Sequence, residues 1–367
     1  MKDSKKILIV TSEFPPQPGG IGNHAYNLAN QLQKNGYKVG LLTDVRSIDG
    51  VEEQQFDSSV SFDVYRIKRH KIIVWSYLKR IIIYKRLAYK YSNIIASGKF
   101  PLWIVGLDPF LSKNKKYAVI HGSEVNLQGL NKKFTDKVLQ NFKTIVAVSN
   151  FTKSLIDDLN LKKIIVIPNG FKIEMVKNLE NRNHFKNNNY PVLITVGNVS
   201  DRKGQLNMIK ALPALLKLYP HCLYHIVGIP TLQGKLEKVA LEQGVLASLV
   251  FHGNVTEIMK QHLLKESDIF VMLSNQTKTG DVEGFGIAII EANALNLPAI
   301  GSDNCGIVDV IKQNYSGKLV NPTDSDAIVN SIDDILKDYP NYSKQAKEWS
   351  KQFDWKVIIK KYINILE

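Results

Sequence analysis

Residues 5–22 read Lys5-Lys-Ile-Leu-Ile-Val-Thr-Ser-Glu-Phe-Pro-Pro-Gln-Pro-Gly-Gly-Ile-Gly22. A helix-forming run over residues 23–35 follows, closed by Gly36, and then the apolar run 39–43. The stretch 7–10 is short, apolar and β-branched, which predicts a strand. A strand, a turn rich in Gly and Pro, a helix and a second strand make one parallel crossover unit. Further short β-branched runs at 117–120, 145–148 and 164–167 are each followed by polar or Gly residues. Short apolar strands separated by helical stretches are the mark of a parallel sheet buried on both faces.

The pattern restarts in the second half. Residues 180–190 are polar and Asn-rich, as a linker is. Strands are expected at 192–196, 223–227, 250–251, 269–273 and 299–300, with helices at 205–218, 232–242, 256–266 and 287–295 between them. The expected fold class is α/β, with two Rossmann-like, doubly wound domains. Open parallel sheets bind ligands beyond the carboxyl ends of their strands, so two in tandem can face each other across a ligand-holding cleft.

The chain has 367 residues, which suits two domains of ordinary size. Its 44% hydrophobic and 22% charged residues match a soluble globular protein, and no run reaches the roughly 20 apolar residues of a membrane span. The run at 7–10 is too short for the apolar core of a signal peptide, so the cytoplasm is the expected compartment. Cys222 and Cys305 lie in different elements without metal-type spacing, which predicts two plain thiols. The net charge of +14 is lopsided: residues 1–180 carry +13 and the remainder +1. A basic half suggests an anionic partner.

The strongest chemical signal is Glu283-Gly-Phe-Gly-Ile-Ala-Ile-Ile-Glu291-Ala292. A carboxylate precedes a Gly-Phe-Gly turn, and a second one sits eight positions on, within the next helix. Backbone N–H groups of Gly284, Phe285, Gly286 and Ile287 at a helix start favour an anion such as a diphosphate. Each carboxylate can accept from a vicinal diol. A sugar and a ribose joined by a diphosphate present that arrangement, although the spacing alone equally suits a Gly-capped helix with two surface glutamates. The second signal, Thr195 to Gly204, carries Asn198, Arg202 and Lys203 in a loop directly after a strand. Two cations there can neutralise charge developing on a leaving diphosphate.

These motifs resemble glycosyltransferase family 4, retaining enzymes of the GT-B fold, and the resemblance runs along essentially the whole chain. EGFGIAIIEA resembles the E-x7-E signature, which implies that Glu283 contacts hydroxyls of the donor sugar and Glu291 the ribose. The segment at 195–204 is similar to the family's G-R-x-x-x-x-K-G: Lys203 maps directly, Asn198 stands where Arg is expected, and Arg202 is a candidate substitute. The loop ending at Gly19 and Gly20 resembles P-P-x-x-G-G, which in the family approaches the donor phosphates. His121-Gly-Ser-Glu124 resembles H-G-x-(D/E), which implies a role for His121 beside the reacting sugar. His252-Gly253 can approach the base. Asn169-Gly170 and Phe353-Asp354-Trp355 match its domain-end and tail patterns. The implied domains are 1–175 and 176–351, with a last helix at about 352–367 packing back on the first.

The resemblance implies a retaining hexosyl transfer from a GDP- or UDP-linked sugar to a glycan or lipid-linked acceptor, by a same-face route. Arg202 and Lys203 would stabilise the diphosphate, Glu283 would orient the sugar and His121 would assist near the acceptor. With no Asp-x-Asp placed to hold a metal, neither metal nor other cofactor is expected. Residues 64–107 hold ten Lys or Arg, no Asp or Glu, and interleaved Trp, Tyr and Ile. That composition, across residues 66–99, predicts peripheral contact with an anionic membrane at the inner face. A solvated helix with its apolar side in the core is the other reading. A nucleotide-sugar epimerase shares the architecture and is the alternative enzyme. A nucleic-acid partner is not expected, because no binding motif accompanies the basic stretch.

Overall fold

The computed structural model describes residues 5–17, 19–68, 73–108, 114–173, 189–277 and 280–367. Pro18, Arg69, Lys71 and residues 180–188 of the expected linker lie outside them. The chain divides into two compact units, Met1–Gly170 with Trp355–Glu367, and Phe171–Asp354.

In the first unit, β1 (Lys6–Thr11), β2 (Lys38–Asp44), β3 (Asp63–Ile67), β4 (Asn93–Ser97), β5 (Lys115–Ile120), β6 (Thr144–Ala147) and β7 (Ile164–Val166) form one sheet. Its order is β3-β2-β1-β4-β5-β6-β7 and its pairings are all parallel. Ile9 pairs in register with Leu41 on one side and Ile95 on the other. Leu8, Val10, Ile94, Ala96, Ala118 and Ile120 form one face of the core, all buried. The sequence pattern predicts neither β3 nor β4, and it also leaves out a strand at Gly317–Val320. The first helix runs Gly20–Lys34, three residues earlier than the sequence pattern placed it, because Gly19 in extended backbone already starts it. Trp355–Leu366 also belongs to this unit: Trp355 is buried, and a Cβ on Gly170 would come within 2.6 Å of its ring.

The second unit contains β8 (Val192–Val196), β9 (Leu223–Val227), β10 (Leu249–Gly253), β11 (Ile269–Met272), β12 (Ala299–Ser302) and β13 (Gly317–Val320), in the order β10-β9-β8-β11-β12-β13 and parallel throughout. Leu193, Met208, Leu212, Tyr224 and Ile332 are buried in its core. Both sheets therefore reverse their strand order once, between β1 and β4 and between β8 and β11. At such a reversal the loops diverge to opposite faces and leave a crevice at the carboxyl ends.

Candidate functional site

In the second unit, β8, β11 and β12 each deliver one loop to the strand-order reversal. The loop after β8 ends in a 3-10 turn, Asp201–Lys203, and Gly204 at φ 72° hands the chain to the helix Gln205–Leu218. Gly204 packs so tightly on the β11 loop that a Cβ would stand 1.7 Å from the Leu273 carbonyl oxygen. Asn275 N–H donates to the Arg202 carbonyl at 2.8 Å, and Asn207 Nδ2 donates to Leu273 O at 3.1 Å. The cation-bearing turn is thus tied to the neighbouring loop by backbone.

That tie aims both cations at one carboxylate. Lys203 Nζ donates to Glu283 Oε2 at 2.7 Å, and Arg202 Nη1 donates to the same oxygen. Arg202 Nε also lies 3.1 Å from Asp281 Oδ2. The Glu283 side chain is 12% exposed. Burial works against its ionisation, but the charges and hydrogen bonds of Lys203 and Arg202 outweigh burial and bring its pKa down to about 2. The third loop supports this one from below: Gly306 N–H donates to the Glu283 carbonyl at 2.8 Å, and a Cβ on Gly306 would stand 2.0 Å from Gly284 O. Cys305 beside it is buried, its thiol pushed up to about 12 by burial; it and Cys222 are free thiols.

The helix Ile287–Ala294 starts directly after Gly286, whose φ is 100°. Ile289 N–H of its first turn donates to the Gly286 carbonyl at 3.0 Å, and the positive end of the helix favours an anion. Glu291, one face further along, is held by Lys260 of the helix Glu257–Lys265: Lys260 Nζ lies 2.6 Å from Glu291 Oε2 and 2.9 Å from Glu257 Oε2. Burial pulls the Lys260 ammonium down, but the two carboxylates prevail and its pKa is raised.

Two expected contributors stand differently from their neighbours. Asn198 is exposed and offers its backbone carbonyl to Gln205 Nε2 at 3.2 Å. Phe285 is buried, its ring edge-on to Phe353 at 5.9 Å, so only its backbone is available to a ligand. Ile287 is half-buried. His252 pairs with His225, Nε2 to Nδ1 at 3.2 Å. Among the described residues no three His, Cys, Asp or Glu side chains cluster as a metal site.

The first unit gathers its own group at the ends of β1, β4 and β5. His121 shares a hydrogen bond between Nε2 and Ser97 Oγ at 3.0 Å, and its ring lies 5.1 Å from that of His24. Burial lowers the His121 pKa to about 4, so the ring is neutral at pH 7. His24 Nε2 in turn meets the Tyr362 hydroxyl at 3.0 Å. Glu124 Oε1 accepts from His121 N–H at 2.7 Å, while its Oε2 is buried without a hydrogen-bond partner. Burial drives the Glu124 carboxyl up to about 7, with backbone hydrogen bonds opposing and the Glu13 charge reinforcing the rise. Gly19 lies against Glu13: a Cβ there would meet Glu13 Oε2 at 2.1 Å, whereas Gly20 faces open space. A cavity of about 550 Å³ opens here, walled by Ser12, Glu13, Arg46, Tyr77, Phe100 and Glu124 among others.

Two family models match the chain one after the other: Glycosyltransferase Family 4 over residues 18–174 and Glycosyl transferases group 1 over residues 176–353. The chain belongs to the family 4 glycosyltransferases. This glycosyltransferase is 26% identical over 352 residues to a GDP-mannose-dependent alpha-(1-6)-phosphatidylinositol monomannoside mannosyltransferase of Mycolicibacterium smegmatis, covering 90% of this chain and 89% of that one. It is 23% identical over 381 residues to the protein of the same description from Mycobacterium tuberculosis, covering 98% of each. Among solved structures it matches Anabaena HepE in complex with UDP and glucose (TM-score 0.81, 19% identity, 99% of each chain). It also matches a sucrose-phosphate synthase from Thermosynechococcus elongatus (TM-score 0.80, 18% identity, 98% of each). The fold of the glycosyltransferase is therefore GT-B.

Lys260, Glu13, Ser97 and Tyr362 were not legible as site residues in the glycosyltransferase. Lys260 and Glu291 are 31 positions apart, and His24 and Tyr362 are 338 apart. Neither separation carries a periodic signal.

Proposed function

We propose that this glycosyltransferase moves a hexose, mannose first, from a GDP- or UDP-linked donor to a hydroxyl of a glycolipid acceptor, with retention and without a divalent cation. The observation that carries the reading is the convergence of Arg202 and Lys203 on Glu283. Two cations held by one carboxylate form a site that a diphosphate can enter by competing for the same charges. Glu283 is then released to accept from sugar hydroxyls, while the cations stabilise charge as it develops on the leaving group. The Glu291 carboxylate is set to receive the ribose diol. The transition state is oxocarbenium-like, so position and charge do most of the work on the same-face route. Neutral His121 supplies a hydrogen-bonding ring toward the acceptor hydroxyl. Mannose and a phosphatidylinositol-type acceptor are drawn from the relatives' descriptions.

The test has two stages. Thermal shift against GDP, UDP, ADP and CDP in EDTA identifies the donor base, since a ligand of the folded state raises the melting temperature. Turnover of the matching nucleotide-mannose with phosphatidylinositol mannosides is then followed by release of nucleoside diphosphate and by NMR of the anomeric proton. Release that requires acceptor, α-product from α-donor and undiminished rate in EDTA is expected. An altered nucleotide sugar with no release favours the epimerase. Arg202→Ala or Lys203→Ala should each lower kcat by roughly 100-fold or more.

A further inference from the structure

His24 stands one turn into the helix Gly20–Lys34, on the face that also buries Ala25 and Leu28. It is 2% exposed. An apolar side chain would satisfy that face, whereas a buried imidazole costs stability unless both nitrogens are paired. Here one is. His24 Nε2 meets the Tyr362 hydroxyl at 3.0 Å, and Nδ1 is buried with no hydrogen-bond partner among the described residues. Orphaned buried N–H groups are rarer than underused acceptors. That assigns the proton to Nε2, which donates to Tyr362, and leaves Nδ1 a lone pair. Burial, reinforced by His121, holds the His24 pKa well below 6.5, so the ring is neutral at pH 7.

Three rings enclose His24. The His121 ring is T-shaped to it at 5.1 Å, the Trp355 ring lies 5.5 Å away and the Tyr362 ring 5.9 Å. Trp355 and Tyr362 both come from the last helix, Trp355–Leu366, and both are buried. His121 is therefore held from two sides. Ser97 Oγ shares a hydrogen bond with its Nε2, and the sheet fixes that contact, since Ser97 of β4 pairs in register with Val119 of β5. The His24 ring bears on the other side, and its own setting depends on the Tyr362 hydroxyl. Among the described residues no hydrogen bond reaches His121 Nδ1, which leaves that nitrogen to a ligand. A pair that served packing alone would leave the core better satisfied as two apolar side chains, because Nδ1 of His24 stays unpaired in either tautomer.

We propose that Tyr362 and His24 are positioning residues for His121. The Tyr362 hydroxyl fixes the His24 ring, and the His24 ring fixes the angle at which His121 presents Nδ1 to the reacting sugar and acceptor. The inference rests on the reading of His121 as a group beside the reacting centre. His24 and Tyr362 are both buried, so they reach the reaction only through His121. An imidazole free to turn meets its target in a fraction of its orientations. That lowers the rate from the bound state and leaves donor binding, which other residues supply, unchanged. The last helix then belongs to the site as well as to the core of the first unit.

The experiment compares the full chain with two variants. Tyr362→Phe removes only the hydroxyl. His24→Phe keeps a ring against His121 and removes both nitrogens, the unpaired one included, so it folds even if Tyr362→Phe does not. Turnover is read as GDP release from GDP-mannose with phosphatidylinositol monomannoside. Each variant should lose about tenfold in kcat with donor KM within about twofold of wild type. The double variant should be no slower than either single one, and in a His121→Ala background Tyr362→Phe should change nothing, because all three act through one link. In histidine-labelled protein the His121 ring signals, identified by their loss in His121→Ala, should shift in Tyr362→Phe. The proposal is overturned by unmoved His121 signals in folded Tyr362→Phe, by wild-type kcat in both variants beside an impaired His121→Ala, or by a Tyr362→Phe loss that persists in full without His121. Full turnover by His121→Ala, or none of these substrates by wild type, counts against the functional reading instead. The ring signals need no substrate and then decide the proposal by themselves.

Discussion

Lys260 Nζ sits between Glu291 Oε2 at 2.6 Å and Glu257 Oε2 at 2.9 Å. One oxygen of Glu291 is therefore committed to a cation, and on the proposed function Oε1 is the oxygen that would accept from a ribose hydroxyl. Replacing Lys260 by Met leaves a partly buried carboxylate unpaired, which costs about 3 kcal/mol. The expected outcome is a lower melting temperature, a raised donor KM and loss of discrimination between a nucleoside diphosphate and its 2′-deoxy form. Lys260→Arg should recover most of this. Unchanged 2′-deoxy discrimination in a folded Lys260→Met protein would remove Lys260 from the ribose site.

Glu283 has a folded pKa of about 2 against 4.5 for a free glutamate. A depressed carboxylate adds stability above its unfolded pKa and loses it as pH falls through the folded value. Its contribution, about 3 kcal/mol, is thus complete above pH 4.5 and drains between pH 4.5 and 2. Glu283→Gln should flatten that part of the stability–pH curve measured by urea unfolding. It should also leave Arg202 and Lys203 with less opposing charge, so inorganic pyrophosphate should bind the variant more tightly than wild type.

Glu124 works in the opposite sense. Its folded pKa of about 7 lies above the free value of 4.5, so its protonated form is favoured by folding and the penalty of ionisation grows as pH rises to 7. Glu124→Gln should therefore gain melting temperature over wild type at pH 8 and not at pH 4.5. Equal melting differences at both values would show that the carboxyl ionises freely in the folded chain.

Gly306 N–H holds the Glu283 carbonyl and leaves no room for a side chain, since a Cβ would stand 2.0 Å from the Gly284 oxygen. Gly306→Ala must move the 283–286 loop, which displaces Glu283 from Lys203 and Arg202. Stability should fall by about 1 kcal/mol or more, and kcat/KM should fall well beyond what that loss explains, because misplacement at the reacting centre is amplified in rate. Steady-state kinetics on protein shown to be fully folded separates the two.

Much of this was legible from local pattern. The β-branched runs at 7–10 and 192–196 announced central strands because a parallel sheet buries both faces of a strand, and the pattern need not wait for a partner. Glu283 and Glu291, Arg202 and Lys203, and His121 were singled out as candidates because each stands in a short local motif that resembles the family's, and such a motif is written within a few residues. The basic stretch was visible too, but not its division: Arg80 and Lys79 are adjacent and look alike, yet one is paired with Asp44 and the other is exposed.

The sequence by itself determined two doubly wound α/β units, the loops that carry charge and the membership of family 4. Those properties are local or periodic, and each is written within a few tens of residues. Only the tertiary structure decided the order of the strands, that Lys260 holds Glu291, that both cations share Glu283, that Phe285 belongs to the core, and that Trp75, Leu78 and Ile82 face outward. Each of these depends on which distant element packs against a given side, and packing direction is a property of the whole unit rather than of any stretch within it.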